Sequence, residues 1–198
     1  GNAVNPSLLT ALIADRELQK KPGSPIIYNL ISSRAVREVV EENGGKPLRS
    51  RVGHSFIKAM MAESGAIFGG EHSGHFYFAD FWRADSGMLA ALHAIAALGM
   101  SKKTLSELLA PYARYFASGE INSKVSDSKL IMAGIKESYG SKPGITTDQL
   151  DGLTVEGDTW WFNVRASNTE PLLRLNVEAK TKAQMEALRE EVLAVIRG

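Results

Sequence analysis

The sequence predicts an α/β protein: a βαβ domain with a mainly parallel mixed sheet, followed by a small α+β domain with an antiparallel sheet. Three observations carry this. Short apolar runs alternate with helical patterns through the first half of the chain, at the spacing of βαβ units. The texture changes near 118–145, where Ser118, Gly119, Gly140, Pro143 and Gly144 interrupt short patterns, which places a domain boundary around 111–120. Beyond it, Leu173, Leu175, Val177 and Ala179 alternate with Arg174, Asn176, Glu178 and Lys180, the period of a half-buried strand with one wet face.

Residues 6–20 read as a helix, with Pro6 in its first turn and Leu8, Leu9, Leu12 and Ile13 as an apolar stripe. Pro22-Gly23-Ser24-Pro25 breaks the chain, and Ile26, Ile27, Tyr28 and Leu30 form a buried strand. Ser32 or Ser33 caps a helix to Asn43, ended by Gly44-Gly45. A second strand over 47–52, a helix from Ser55 to Glu63 stopped by Gly65, and a short strand from Ala66 to Gly69 follow. Helices from Ser86 to Leu98 and from Thr104 complete this half. In the second half, Trp160 to Val164 is a strand. Thr181 with Gln184 reads as a capping box, and Met185, Leu188, Val192, Val195 and Ile196 stripe the last helix. The expected result is a small sheet covered on one side.

Connections between parallel strands are right-handed almost without exception. The segments Arg51-Val52-Gly53-His54 and Gly70-Glu71-His72-Ser73-Gly74-His75 therefore leave the same carboxyl edge of one sheet, where open α/β folds bind ligands.

The net charge of +1 gives no bulk pull toward nucleic acid or membrane, and no apolar stretch is long enough to span a bilayer. The absence of cysteine excludes disulfides and thiolate metal sites and fits a cytoplasmic protein. Residues Gly1 to Ser7 lack both an initiator Met and the order of a signal peptide, so the chain is expected to be a fragment.

Three loops carry candidate chemistry. In Arg165-Ala166-Ser167-Asn168-Thr169-Glu170-Pro171 a guanidinium, two hydroxyls, an amide and several backbone N–H groups fall within five residues and can surround an anion. The same residue types also make an ordinary hairpin turn. In the 69–75 loop, glycines let the backbone approach a ligand, Glu71 and Ser73 can bond vicinal hydroxyls, and His75 can move a proton near neutrality. The bland alternative is a glycine-rich connector. A metal on His72 and His75 lacks both a third ligand and the helical His-Glu-x-x-His setting. Arg51 and His54 at the sheet edge suit an anionic substrate, or simply open a helix with a solvated histidine. His93 reads as structural, and Trp160, Trp161 and Phe162 as core and edge residues, since no basic stripe accompanies them.

Together, Gly-Glu-His-Ser-Gly-His at 70–75, Arg-Ala-Ser-Asn-Thr-Glu-Pro at 165–171 and Arg-Val-Gly-His at 51–54 resemble, in order and spacing, the sugar-binding loop, phosphate-binding loop and a third segment of the α-D-phosphohexomutases. These are four-domain enzymes that include phosphomannomutases and phosphoglucomutases. His72 stands where the family usually has Met, and Arg51 where it often has Lys. The family's catalytic Ser-His-Asn-Pro loop and its Asp-Gly-Asp-x-Asp-Arg magnesium loop do not occur.

The resemblance implies that residues 1–20 end domain two or form an interdomain helix, 21–112 form domain three with the sugar loop, and 119–198 form domain four with the phosphate loop. It implies an enzyme interconverting hexose 1-phosphate and hexose 6-phosphate, an isomerase working through a phosphoserine and a hexose 1,6-bisphosphate intermediate. Its magnesium and its phosphoserine would lie outside this chain. The implied partners are mannose or glucose phosphate and the N-terminal domains of the same enzyme. The implied phosphate ligands are Arg165, Ser167, Asn168 and Thr169, and the sugar ligands Glu71 and Ser73. His54, His75 and Arg51 are the candidate catalytic residues. Alone, this half is expected not to turn substrate over. The competing class is a non-catalytic sugar-phosphate-binding module.

Overall fold

The computed structural model describes residue 1, residues 3–167 and residues 170–198. The chain divides into two compact units, Gly1–Arg114 and Tyr115–Gly198.

The first unit opens with α1 (Pro6–Lys20), whose N-cap Asn5 accepts from the Ser7 amide. The strands and helices then alternate as β1 (Pro25–Asn29), α2 (Arg34–Glu42), β2 (Lys46–Ser50), α3 (His54–Ser64) and β3 (Phe68–Gly70). The chain next turns back through β4 (Phe76–Phe78) and β5 (Ala84–Asp85) before α4 (Gly87–Gly99) and α5 (Leu105–Leu109). Sheet order is β2-β1-β3-β4-β5, with β1 parallel to β2 and β3, and the β3–β4 and β4–β5 pairs antiparallel. It is a mixed sheet, and the antiparallel β4 and β5 had no counterpart in the sequence reading.

Alternation along the strands divides the core. Ile27 and Tyr77 pack with Ile57 and Met61 of α3 on one face. Ile26, Phe68, Phe76 and Phe78 pack with Ile13, Ala14 and Leu18 of α1 on the other. Burying each such side chain is worth about 1.5–3 kcal/mol. A third cluster joins Ala11 and Leu12 of α1 to Tyr28, Val36, Val39, Leu109 and Tyr112. The first helix thus packs inside this unit. Arg114 closes it by donating to Glu38 and Glu42 of α2. His93 of α4 stacks on Phe78 with 5.2 Å between centroids, and burial lowers its pKa.

The second unit contains β6 (Phe116–Lys124), α6 (Ser128–Gly140), β7 (Thr146–Asp148), β8 (Leu153–Glu156), β9 (Trp160–Ala166), β10 (Leu172–Ala179) and α7 (Lys182–Arg197). The sheet is antiparallel throughout, in the order β6-β10-β9-β8-β7. Ile135 and Tyr139 of α6 and Met185, Leu188, Val192, Leu193 and Ile196 of α7 share one core with the inward residues of β8, β9 and β10.

Several local readings change. Ser118 and Gly119 sit inside a strand: two residues of β6 oppose Val177, whose amide donates to Ser118 Oγ at 3.0 Å, and Gly119 takes φ 70°. That is a β-bulge, which a sequence pattern reads as an interruption. The expected wet face of β10 is dry at its end. Asn176 and Glu178 are buried, and Glu178 accepts from Trp161 Nε1 at 2.8 Å. On α7, Leu193 is buried and Val195 exposed, as the helix packs on β6 as well as β10. Thr181 does cap the Gln184 amide, but the Gln184 side chain donates to Thr159 instead of returning to the cap.

Candidate functional site

The ends of β1, β2 and β3 lie side by side because β2 and β3 both run parallel to β1. Asn29 ends β1, the 51–53 segment leaves β2, and Glu71 follows β3. Glu71 ties all three together although it is only 2% exposed. Its Oε1 accepts from the Tyr77 hydroxyl at 2.6 Å, and its Oε2 accepts from Asn29 Nδ2 at 3.3 Å and from the Gly53 amide at 3.2 Å. A carboxylate offers about four acceptor positions, so these three donors leave room for one more. Asn29 Oδ1 in turn accepts from Ser32 Oγ at 2.8 Å and from the His72 amide at 3.4 Å. Burial pushes the Tyr77 phenol above its ordinary pKa, and the Glu71 carboxylate adds to the rise.

Above this network opens a cleft of about 460 Å³, lined among others by His54, Lys58, Glu71, Ser73, His75 and Asp85. A volume in this range accommodates a small ligand. His54 is the first residue of α3, whose N-cap Gly53 supplies no side-chain cap. His75 Nδ1 lies 2.6 Å from Asp85 Oδ2.

Four residues singled out from sequence, His54, Glu71, Ser73 and His75, therefore line one cleft. Arg51 instead lays its guanidinium over the Phe56 ring, 4.5 Å from the centroid. His72 turns toward α1, with Nδ1 3.3 Å from Ser7 Oγ. The two histidines of the loop thus engage different partners. Among the described residues, no three His, Asp or Glu side chains converge as a metal site. The sequence reading overlooked Asn29, Lys58, Tyr77 and Asp85. Asn29 had a usable signal, since it ends a strand at the same sheet edge. Asp85 had none, because its strand is two residues long.

In the second unit, Arg165 lies in β9, just ahead of the hairpin to β10. Ser167 donates its amide to Leu172 O at 2.9 Å. Asn168 and Thr169, the other two expected phosphate ligands, lie outside the described residues. Arg165 Nη1 is 3.4 Å from Asp151 Oδ2, and Nη2 is 3.6 Å from Glu120 Oε2. Arg174, its cross-strand partner, shares Glu120 at 3.5 Å. Asn163 Nδ2 donates to Asp151 O at 3.1 Å and to Thr154 Oγ1 at 3.1 Å, which holds the 151–154 turn beside Arg165. Two guanidinium groups thus share two carboxylates at distances longer than tight hydrogen bonds.

An α/β unit with a glycine-rich loop at its sheet edge is thus followed by a smaller antiparallel unit. The chain belongs to the phosphoglucomutase/phosphomannomutase family: residues 5–115 match the family's alpha/beta/alpha domain III, and residues 120–195 its C-terminal domain. It is 42% identical over 196 residues to a phosphomannomutase of Methanocaldococcus jannaschii, covering 99% of this chain and 43% of that protein. The crystal structure of a phosphoglucomutase/phosphomannomutase family protein from Burkholderia thailandensis superposes with a TM-score of 0.85 at 28% identity, over 100% of this chain and 42% of that one. An Aspergillus fumigatus N-acetylphosphoglucosamine mutase in complex with GlcNAc-6P and magnesium shares the fold, with a TM-score of 0.66 at 14% identity over 98% of this chain and 46% of that one. The chain spans less than half the length of these relatives. Among the described residues, no helix is long and apolar enough to cross a membrane.

Proposed function

We propose that this chain is the substrate-recognition half of a phosphomannomutase/phosphoglucomutase. The complete cytoplasmic enzyme interconverts hexose 1-phosphate and hexose 6-phosphate of mannose or glucose. It works through a phosphoserine and a hexose 1,6-bisphosphate, with magnesium held by N-terminal domains outside this chain. The observation that carries the reading is the shared cleft at the carboxyl edge of the first sheet, where Glu71 binds two loops together and Ser73, His54 and His75 open onto the same space.

Each group has a task its chemistry allows. Glu71 and Ser73 bond ring hydroxyls, the carboxylate as acceptor and the hydroxyl as donor or acceptor. Arg165, Ser167, Asn168 and Thr169 hold the phosphate that is not being transferred, and Arg165 can do so bidentately. The bisphosphate must bind in two orientations. A site that grips one phosphate and a pair of ring hydroxyls serves both. His75 takes the proton of the sugar hydroxyl as that oxygen gains the phosphoryl group from the serine. Once the bisphosphate has turned around, His75 gives a proton to the sugar oxygen at the other end as the phosphoryl group there returns to the serine. His54 contacts the reacting region, and Arg51 adds positive charge.

The half is expected to bind without turnover. The test is an amide NMR titration of the chain with mannose 1-phosphate and glucose 1-phosphate, with inorganic phosphate as the control. The expected result is a set of shifts at Glu71–Ser73 specific to the sugar phosphates, and shifts at Arg165–Thr169 that inorganic phosphate also produces. Absence of any localised shift at either loop would remove the recognition role from this half. Sustained conversion of mannose 1-phosphate to mannose 6-phosphate by the chain alone would contradict the expectation that it is inactive without the catalytic serine.

A further inference from the structure

Asp85 lines the cleft beside His75, yet no sequence motif includes it. Its carboxylate is held from two directions. Oδ2 meets His75 Nδ1 at 2.6 Å, and Oδ1 accepts from the Phe76 amide at 2.8 Å. Its backbone is anchored as well. Asp85 pairs with Tyr77 across the β4–β5 ladder, the next amide, Ser86, donates to Phe76 O at 2.8 Å, and Ser86 Oγ caps α4 through the Leu89 amide. The carboxylate therefore stands between a strand and a helix cap with little freedom to follow the imidazole. The imidazole must come to it.

We propose that Asp85 is a positioning residue that holds His75 with its proton on Nδ1, leaving Nε2 as the ring's acceptor for the cleft. A carboxylate only accepts, so a neutral imidazole that bonds to it through Nδ1 must donate there. The other nitrogen then carries the lone pair. The side chains of His75 and Asp85 are 53% and 37% exposed, so as a surface ion pair the contact adds little stability. Its consequence is orientation. A base that takes a proton must present its lone pair to that proton, and a ring free to exchange tautomers does so only part of the time. The inference rests on the reading of His75 as the proton carrier, and it names the group that prepares His75 for that role.

The test is long-range proton–nitrogen NMR of the imidazole rings in the whole 198-residue chain, at a pH where His75 is neutral, with the resonances assigned by comparison with His75→Gln. The expected result is a pyrrole-type signal for Nδ1 and a pyridine-type signal for Nε2. In Asp85→Asn, one amide oxygen faces two donors, the Phe76 amide and Nδ1–H, and the clean pattern should give way to averaged tautomers. Averaged tautomers or a protonated Nε2 in the native chain would overturn the proposal without recourse to any variant. An unchanged pattern in a folded Asp85→Asn chain would overturn it too. Addition of mannose 1-phosphate separates the two readings. A shift at Nε2 supports both. A fixed tautomer whose Nε2 ignores the sugar phosphate upholds the positioning by Asp85 and removes His75 from the proposed reaction.

Discussion

The phenol of Tyr77 donates a 2.6 Å hydrogen bond to Oε1 of Glu71, from the far side of the loop that Glu71 begins. Tyr77 comes from the antiparallel strand β4 and is fully buried against Ile57 and Met61. Glu71 is buried too, and its other oxygen reaches Asn29 and the Gly53 amide. One carboxylate therefore links three strand ends and the start of α3, and it also forms part of the cleft wall. Stability and recognition share a residue here, which makes them separable only by choosing the right substitution.

Tyr77→Phe removes one donor to a charged acceptor, a loss of about 1.5–3 kcal/mol. It leaves Asn29 and Gly53 bonded to Glu71. Glu71→Ala leaves all three donors without their acceptor and should cost more. Hydrogen exchange at the Gly53 amide is the sharper readout. It should quicken strongly in Glu71→Ala and only slightly in Tyr77→Phe. Equal protection of Gly53 in the native chain and in Glu71→Ala would mean that the carboxylate does not hold the loop.

The order of strands and helices from α1 to β3 was legible because each element is long enough to show a period, and because Pro, Gly and Ser punctuate the chain between them. The siting of the 51–54 and 70–75 segments at one sheet edge followed from that order. The hairpin β4–β5 was not legible. Three and two residues carry no period, and Phe76-Tyr77-Phe78 has aromatic residues on both faces. The cleft residues that depend on it, Tyr77 and Asp85, were lost with it. In the second unit, the bulge at Ser118-Gly119 made a nine-residue strand look like a linker. The dry end of β10 escaped notice for a related reason. Alternation marks which residues are polar, and only the cross-strand neighbour Trp161 shows that Glu178 is covered.

Gly70 is close-packed on α1. A Cβ there would lie 2.4 Å from Thr10 Oγ1, 2.5 Å from its Cγ2 and 2.9 Å from its Cβ. Overpacking of this kind costs about 1–3 kcal/mol. Gly70→Ala should therefore lower the stability of the first unit, and Thr10→Ala should recover part of the loss by removing two of the three contacts. Denaturation of the two single variants and the double variant gives the coupling. Additive effects would show that the strand end does not rest on Thr10.

Three buried tyrosines predict a loss of stability in alkali. Burial raises the pKa of Tyr77, Tyr112 and Tyr139, and hydrogen bonds to Glu71, Asp15 and Glu191 add to each rise. The unfolded chain ionises tyrosine near pH 10. A folded pKa raised above that value favours folding in full below about pH 10, and the contribution is lost progressively as pH rises toward the folded pKa. Stability should fall steeply above about pH 10. Near-ultraviolet absorbance should show these three ionising only as the fold is lost. Replacing Tyr112 by Phe should flatten the alkaline limb, since it deletes one of the linked protons. A slope identical to that of the native chain would rule out its contribution.

Arg165 gives the most direct test of the anion loop. Its guanidinium already faces Asp151 at 3.4 Å and Glu120 at 3.6 Å. Under the proposed function, a phosphate must draw on the same donors in the presence of those carboxylates. Arg165→Ala should weaken binding of mannose 1-phosphate by about tenfold or more, the worth of a charge-assisted bond. Arg165→Lys should recover only part, because an ammonium cannot bind two oxygens in a planar fork. Asp151→Asn should act in the opposite direction. It removes a negative charge beside the anion and frees one donor, so affinity should rise severalfold at low salt and converge on the native value as salt screens the difference. Calorimetric titration of the three variants at two ionic strengths checks all three signs together. Unchanged affinity in Arg165→Ala would leave the 165–171 segment as a hairpin turn whose arginine serves only the ion pairs of its own sheet.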